Sequence, residues 1–101
     1  MAEEFRSFAE FYPFYLKEHG SRDNRRMHFL GMVTALAVLF AAAVSWKWWL
    51  LPAVPAVGYF LSWVGHFVFE HNRPASFRHP LYSFRGDLAM FRDILLGRIE
   101  I

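Results

Sequence analysis

Two long uncharged stretches dominate the hydrophobic pattern of the chain. The first covers residues 29–46 (FLGMVTALAVLFAAAVSW), and the second covers residues 48–69, interrupted early by Pro52 and Pro55 and carrying one titratable residue, His66. At about 1.5 Å per residue, a helix of about eighteen residues spans most of the hydrocarbon core of a bilayer. The pattern therefore predicts two membrane helices.

The link between these stretches is a single charged residue, Lys47, set among Trp46, Trp48 and Trp49. Tryptophan favours the membrane–water interface, so the two helices are expected to form a hairpin that turns there, with both chain ends on the opposite side. That side carries nearly all the basic residues, which by the positive-inside tendency makes it cytoplasmic. They are Lys17, Arg22, Arg25, Arg26, Arg73, Arg78, Arg85, Arg92 and Arg98.

Shorter amphipathic segments flank the hairpin. Aromatic residues recur at helical spacing from Phe5 to Tyr15, and apolar residues do so within residues 86–99, where Asp87 is expected to cap the helix. Both segments are interpreted as interfacial helices, with the alternative that they cover the hairpin as a small core. The predicted fold class is an all-α membrane protein, a two-helix transmembrane hairpin flanked by amphipathic interfacial helices, in one domain over residues 1–101.

Composition supports a lipid environment. Of the 101 residues, 55% are hydrophobic and 20% aromatic, more than a soluble domain of this size readily buries. The net charge of +2 is small and the basic residues are dispersed, which argues against nucleic acid as a partner. The absence of cysteine excludes disulfides and thiolate metal sites, so a metal would need nitrogen and oxygen ligands.

Histidines stand at the cytoplasmic ends of both predicted helices. His28 opens the first helix and His66 lies about one turn before the end of the second, so a hairpin places them at the same depth. A lone histidine at an interface is more often an anchor than a ligand. Here Glu70 follows His66 by four positions, about 40° around a helix, and Arg73 continues that face, whereas His71 points elsewhere.

His19 can join these residues only if the chain bends after it. Gly20 can end the preceding helix, and Ser21 or Asp23 can cap the next one. Three imidazoles and a carboxylate suit iron, zinc or manganese, and an open set of histidine and carboxylate ligands is the arrangement of non-haem iron oxygenases.

Two further residue types accompany this cluster. Arg25, Arg26 and Arg73 are interpreted either as anchors on lipid phosphates or as a substrate-binding clamp for a carboxylate whose acyl tail lies in the bilayer. Asn24 and Asn72 are either caps and turn residues or groups that bind substrate or orient the ligands.

The segments FYLKEHGSRDNRRMHFLG (14–31) and SWVGHFVFEHNRPASFRHPLYSFRGDLAMF (62–91) resemble the Mpo1-like family. The likeness covers nearly the whole chain. The family motif has a His, an Asn and a second His before the first hydrophobic segment and H-x-x-x-E-x-N-x-P after the second. Its positions fall on His19, Asn24, His28, His66, Glu70, Asn72 and Pro74, whereas His71 and His79 lie outside it.

The characterised fungal member of that family is an iron(II)-dependent dioxygenase of the endoplasmic reticulum that shortens 2-hydroxy fatty acids by one carbon. The resemblance implies iron(II) as cofactor, O2 and a 2-hydroxy fatty acid as substrates, and a catalytic, metal-binding set of His19, His28, His66 and Glu70, in which Glu70 is either the fourth ligand or a hydrogen-bond acceptor that supports the ligands. Fungal members carry extra hydrophobic sequence between the motifs. The compact hairpin here indicates a bacterial inner-membrane protein, and the basic residues described above place both termini in the cytoplasm.

Two other functions remain open on the sequence. A metal-dependent lipid hydrolase would use the same ligands with water alone. A non-enzymatic scaffold would rely on small residues such as Gly31, Ala35 and the alanines at 41–43, which favour close helix packing and predict a homo-oligomer in the lipid bilayer.

Overall fold

The computed structural model describes residues 5–101, and every regular element in that range is helical. The predicted all-α class is therefore confirmed for this part of the chain. The elements are α1 (Phe8–Lys17), α2 (Arg22–Ser45), α3 (Ala53–Val64) continued by a π-helical segment (Gly65–Glu70), and α4 (Pro80–Leu95), with short 3-10 turns at Trp48–Leu50 and Ala75–Phe77.

The turn between α1 and α2 follows the predicted bend. The backbone at Ser21 is extended, and its hydroxyl accepts a hydrogen bond from the Asn24 amide at 3.3 Å. A serine in this position satisfies one of the unpaired amides of the first helical turn. Ser21 therefore starts α2 as expected, and the bend returns the chain past His19.

Small residues let α2 and α3 approach closely. A Cβ added to Gly31 would lie 3.0 Å from the Gly58 carbonyl oxygen, and a Cβ added to Gly58 would lie 3.7 Å from the Ala35 Cβ. Further along, Gly65 lies beside Asn24, so the two helices run in opposite directions. The small residues Gly31 and Ala35, predicted to drive self-association, thus pack against α3 of the same chain.

Both long helical spans are long and apolar enough to cross a membrane, judged by length and composition. Only 22% of the most apolar eighteen-residue stretch of Arg22–Ser45 is buried within the protein, and only 11% of the corresponding stretch of Trp48–Glu70. Most of the apolar surface of the two helices therefore faces outward.

A small core forms where α1 crosses α4. Phe11 and Tyr15 of α1 are buried against Ala75 and Met90. A Cβ on Gly86 would lie 2.8 Å from the Tyr15 ring, so the two helices meet at van der Waals distance. This face of α1 therefore packs in a small core, which was the alternative to an interfacial helix.

The start of α4 corrects one expectation. The helix begins at Pro80, with His79 in the N-cap position, so Asp87 lies within the helix and does not cap it. Proline suits the first helical turn because its missing amide would be unpaired there, and it starts the helix earlier than the capping signal suggested. The outer face of α4 is apolar and exposed, with Leu81, Phe84, Leu88 and Leu95.

Candidate metal centre

Three histidines from three parts of the chain lie close together. His19 follows α1, His28 lies in α2 and His66 in the π-helical segment, and all three are buried. Their rings pack edge to face with centroids 4.3, 4.5 and 4.9 Å apart. One ring nitrogen from each lies within 4.8 Å of the other two. The structure thus brings together the three histidines singled out from the sequence.

Each ring is oriented by an oxygen at its Nδ1 atom. Nδ1 of His19 lies 2.6 Å from the Tyr15 carbonyl oxygen, and Nδ1 of His28 lies 3.0 Å from that of Asn24. Nδ1 of His66 lies 2.7 Å from Oδ1 of Asn72. Since these oxygens only accept, each Nδ1 carries the proton and each neutral ring presents a bare Nε2 lone pair.

The bare nitrogens face one another at short range. Nε2 of His19 and Nε2 of His28 are 3.0 Å apart. Two lone pairs at this distance repel unless a cation lies between them, and two nitrogens bound to one ion at about 2.1 Å have a comparable separation. The donor set therefore fits a divalent metal ion.

Burial keeps His19 neutral. Desolvation, followed by the neighbouring His28 and His66 rings, holds the pKa of His19 well below its usual value. A neutral imidazole is the form that binds metals, so His19 is ready to bind an ion without first losing a proton.

The π-helical segment places His66 and Asn72 together. The helix ends at Glu70, and His71 takes a left-handed conformation at φ 61°, so the chain reverses there. The amides of His71 and Asn72 both donate to the His66 carbonyl. The Asn72 side chain then reaches back to His66, and its Nδ2 donates to the backbone carbonyl oxygen of Glu18 at 3.1 Å and to Oε1 of Glu18 at 3.2 Å. Single π-helical turns often mark functional sites.

Glu70 accepts hydrogen bonds at the start of α2. Its carboxylate accepts hydrogen bonds from the Ser21 amide at 3.0 and 3.2 Å and from Nδ2 of Asn24 at 3.0 Å. It lies outside the group of three histidines. The wider π-helical turn and the reversal at His71 also interrupt the face that was expected to run on to Arg73.

Both asparagines of the motif form hydrogen bonds with residues of the candidate metal centre or with Glu70. Asn24 accepts at its carbonyl from His28 and donates to Glu70, and its buried Oδ1 has no hydrogen-bond partner. That Oδ1 would lie 2.1 Å from a Cβ on Gly65. The π-helical segment can therefore approach α2 this closely only because residue 65 has no side chain. The Asn72 side chain thus orients His66, whereas the Asn24 side chain binds Glu70 and only the Asn24 backbone carbonyl contacts His28.

The three arginines lie away from the imidazoles. Arg25 donates to the carbonyls of His19 and Gly20, and so stabilises the turn between α1 and α2. Arg26 lies 3.8 Å from Asp23 at the surface, and Arg73 is exposed. None of the three lines the two cavities described below.

The remaining histidines are also outside the cluster. His71 is exposed at the left-handed position after the π-helical segment. The His79 ring packs beside the Phe5 and Phe11 rings, at centroid distances of 5.2 and 5.7 Å. Neither residue was assigned to the sequence motif.

An apolar groove runs from the metal centre along α2. The groove has a volume of about 340 Å³ and extends from His28 to Leu39 and Val54 between α2, α3 and α4. Eleven residues of helix separate His28 from Leu39, which makes the groove about 16 Å long. Ligand pockets usually have volumes of roughly 300 Å³ or more, so the groove can hold a small ligand.

A much smaller polar cavity joins the groove to the histidines. It is lined by His28 and His66, and it shares Tyr59, Ser62 and Asp87 with the groove. His28 and His66 therefore lie beside the end of the apolar groove, next to a small polar cavity.

Tyr15 and Asp87 are the functional candidates that the sequence did not reveal. The Tyr15 hydroxyl donates to Oδ1 of Asp87. Burial raises the pKa of Asp87 to about 7, and the hydrogen bond from Tyr15 opposes part of that rise. One sequence signal was present, because Asp87 is the acid on the apolar helical face formed by Phe84, Leu88 and Phe91.

Comparison with known proteins identifies one family. The family model described as "2-hydroxy-palmitic acid dioxygenase Mpo1-like" matches residues 5–99, nearly the whole chain. No curated protein and no solved structure gives a significant match.

Proposed function

Because the chain belongs to the Mpo1-like family, we propose that it is a membrane-embedded, iron(II)-dependent dioxygenase that shortens 2-hydroxy fatty acids by one carbon. The observation that carries the proposal is the meeting of three bare imidazole nitrogens at the head of an apolar groove. An ion site and an acyl site side by side are what this reaction requires.

In this proposal His19, His28 and His66 hold the iron. An iron(II) ion bound there would supply the redox chemistry by which O2 reacts with an organic acid, and would attract the carboxylate of that acid. Asn72 and the carbonyls of Tyr15 and Asn24 keep the imidazoles neutral and correctly rotated. Such supporting hydrogen bonds typically affect metal affinity by about tenfold to a hundredfold.

The groove suits the acyl tail of the substrate. Its length of about 16 Å along α2 is close to the thickness of one leaflet, which is about half of the 30 Å hydrocarbon core. A tail lying there places its carboxyl end at the polar cavity beside His28 and His66. The apolar walls also exclude water from the reacting carbons.

The reaction balances with O2 as the sole oxidant. One 2-hydroxy acid and one O2 give the acid one carbon shorter, carbon dioxide and water. The bond between carbons 1 and 2 breaks, carbon 2 becomes the new carboxyl carbon, and carbon 1 leaves as carbon dioxide. The two carbons together lose four electrons, and O2 accepts all four, so no further reductant is needed.

We further propose that α2 and the span Trp48–Glu70 insert as a hairpin in a bacterial inner membrane. Their outward apolar surface and the three tryptophans at the turn support insertion. The metal centre would then lie at the cytoplasmic edge of the bilayer, where a fatty acid can enter from the leaflet.

The test is a product assay on protein purified anaerobically in detergent and loaded with iron(II). With 2-hydroxy-palmitic acid and O2, mass spectrometry should show the saturated acid one carbon shorter. His66→Ala should lose both the iron and turnover, whereas His71→Asn, which suits the left-handed backbone, should keep both.

Two results would contradict the proposal. One is iron-loaded protein that yields no shortened product from 2-hydroxy acids of several lengths. The other is release of fatty acid from a lipid ester in the absence of O2, which would instead indicate a metal-dependent hydrolase.

A further inference from the structure

We propose that the Tyr15–Asp87 pair selects 2-hydroxy acids over unsubstituted fatty acids, with Asp87 forming a hydrogen bond to the 2-hydroxyl group of the substrate. The inference rests on the proposed function and assigns one specificity-determining residue to it. Asp87 lies on α4, which contributes none of the three histidines.

The position of Asp87 is the first argument. It lines both the apolar groove and the small polar cavity that contains His28 and His66. Among the described residues that line either space, it is the only acid. A fatty acid with its tail in the groove and its carboxyl end at His28 and His66 crosses the boundary that Asp87 lines, and carbon 2 is the first carbon after the carboxyl group.

The second argument is the rigidity of the pair. Tyr15 donates its hydroxyl hydrogen to Oδ1 of Asp87, and Gly86 brings α4 within van der Waals distance of the Tyr15 ring. Tyr15 is also tied to the metal centre, because its ring stacks on the His19 ring at 4.1 Å and its carbonyl orients the same imidazole. The carboxyl group of Asp87 is thus fixed relative to the histidines.

The third argument is chemical. A substrate hydroxyl group that is buried in an apolar channel without a partner loses its hydrogen bonds to water, which costs free energy. A buried carboxyl group that faces a methylene group of an unsubstituted acid loses its hydrogen bonds to water in the same way. A site built to pair with a substrate hydroxyl therefore rejects the analogue that lacks it more strongly than a purely apolar pocket would. Asp87 supplies that partner at the boundary between the two cavities.

A second tyrosine–aspartate pair joins the same two helices and provides a matched control. The Tyr12 hydroxyl donates to Oδ2 of Asp93 at 2.7 Å. Neither residue lines the groove or the polar cavity. Arg92 and Arg98, both exposed, also contact Asp93, so this pair belongs to an ion-pair network at the edge of the α1–α4 contact.

The experiment compares Tyr15→Phe/Asp87→Leu with Tyr12→Phe/Asp93→Leu. Replacing both partners by apolar groups avoids leaving a buried hydroxyl unpaired. Binding of 2-hydroxy-palmitic acid and of palmitic acid to the iron(II) protein is measured by calorimetry without O2, together with iron content. Asp87→Ala is the second variant, because it removes the carboxyl group without adding bulk.

The wild type should prefer the hydroxy acid, partly through the iron and partly through Asp87. Loss of the partner of a buried substrate hydroxyl should reduce this preference by about tenfold to a hundredfold in the Asp87 variants. Their affinity for palmitic acid and their iron content should stay near wild type, and the Tyr12/Asp93 variant should keep the full preference.

An unchanged preference in the Asp87 variants would overturn the inference and leave the proposed function standing. Loss of iron, or of palmitic acid binding, in both Asp87 variants would show a structural role and would also overturn it. A wild type that binds neither acid would contradict the proposed function itself, and the inference with it.

Discussion

At the scale of single residues, the candidate metal centre depends on oxygens that fix the histidine tautomers. Two of these oxygens are backbone carbonyls, of Tyr15 and Asn24, and the third is the side-chain oxygen of Asn72. Only the Asn72 contact can be removed by substitution without moving the backbone. The chain therefore uses helix geometry to orient His19 and His28, and a side chain to orient His66.

Glu70 provides a prediction at this scale. Because its carboxylate binds the Ser21 amide and Asn24, we expect Glu70→Ala to destabilise the turn by about 1.5–3 kcal/mol, the range for hydrogen bonds to charged groups. Iron affinity should fall by about tenfold to a hundredfold, while one iron per chain still binds at saturation.

The measurement is iron titration with thermal unfolding in detergent, and Glu70→Gln is the conservative control. Glutamine keeps an acceptor for the Ser21 amide, so its loss should be smaller. If iron fails to bind to Glu70→Ala at any concentration while the protein stays folded, Glu70 is a ligand, as the sequence had suggested.

At the scale of elements, the close approach of α2 and the π-helical segment decides where His66 lies. Gly65 faces Asn24 with no room for a side chain, whereas Gly58, about two helical turns before Gly65, has ordinary contact distances. The segment must therefore pack over a glycine for His66 to reach His28.

We predict that Gly65→Ala will separate the two helices at the metal centre. Its Cβ would lie 2.1 Å from Oδ1 of Asn24, and overpacking of this kind typically costs about 1–3 kcal/mol. Thermal unfolding should show that loss together with weaker iron binding. Gly58→Ala, with its nearest contact at 3.7 Å, is the matched control and should be close to neutral. Equal effects of the two substitutions would contradict this explanation.

At the scale of the whole molecule, the groove exists only because α2, α3 and α4 enclose it together. Phe29 of α2 stacks on Phe91 of α4 at 5.1 Å and closes one side near the metal centre. The depth of the groove below that contact should limit the length of the acyl chain.

We therefore predict that Leu36→Trp will shift the preference toward shorter acids. Leu36 lines the groove eight residues from His28, about 12 Å along the helix. Displacing about three methylenes at about 0.8 kcal/mol each should lower kcat/KM for 2-hydroxy-palmitic acid by tens of fold. The value for 2-hydroxy-decanoic acid should change little. Val33→Trp, on an exposed position outside the groove, is the control. The same loss for both acids would argue against the groove as the acyl site.

Topology gives the last prediction at this scale. Single cysteines at Lys47 and at Arg85 should react with an impermeant thiol reagent from opposite sides of sealed vesicles, because the proposed hairpin separates the turn from α4. The absence of native cysteine makes each label specific. Labelling of both positions from one side would rule out the inserted hairpin.

The sequence by itself determined the helical class and the choice of the three histidines. Apolar runs and helical periodicity depend on neighbours along the chain, so they predict α2, α3 and the cap at Ser21 locally. The residue types of His19, His28 and His66, with the family motif around them, were also readable without a structure.

Only the tertiary structure decided the contacts between positions far apart in the chain. Tyr15 and Asp87 are 72 residues apart, and no local pattern links them. The pairing of Glu70 with Ser21, in place of a position beside the three histidines, depends on the π-helical turn and on how closely α3 approaches α2. Such features follow from packing and from the satisfaction of buried polar groups, which are properties of the folded chain and not of any single segment.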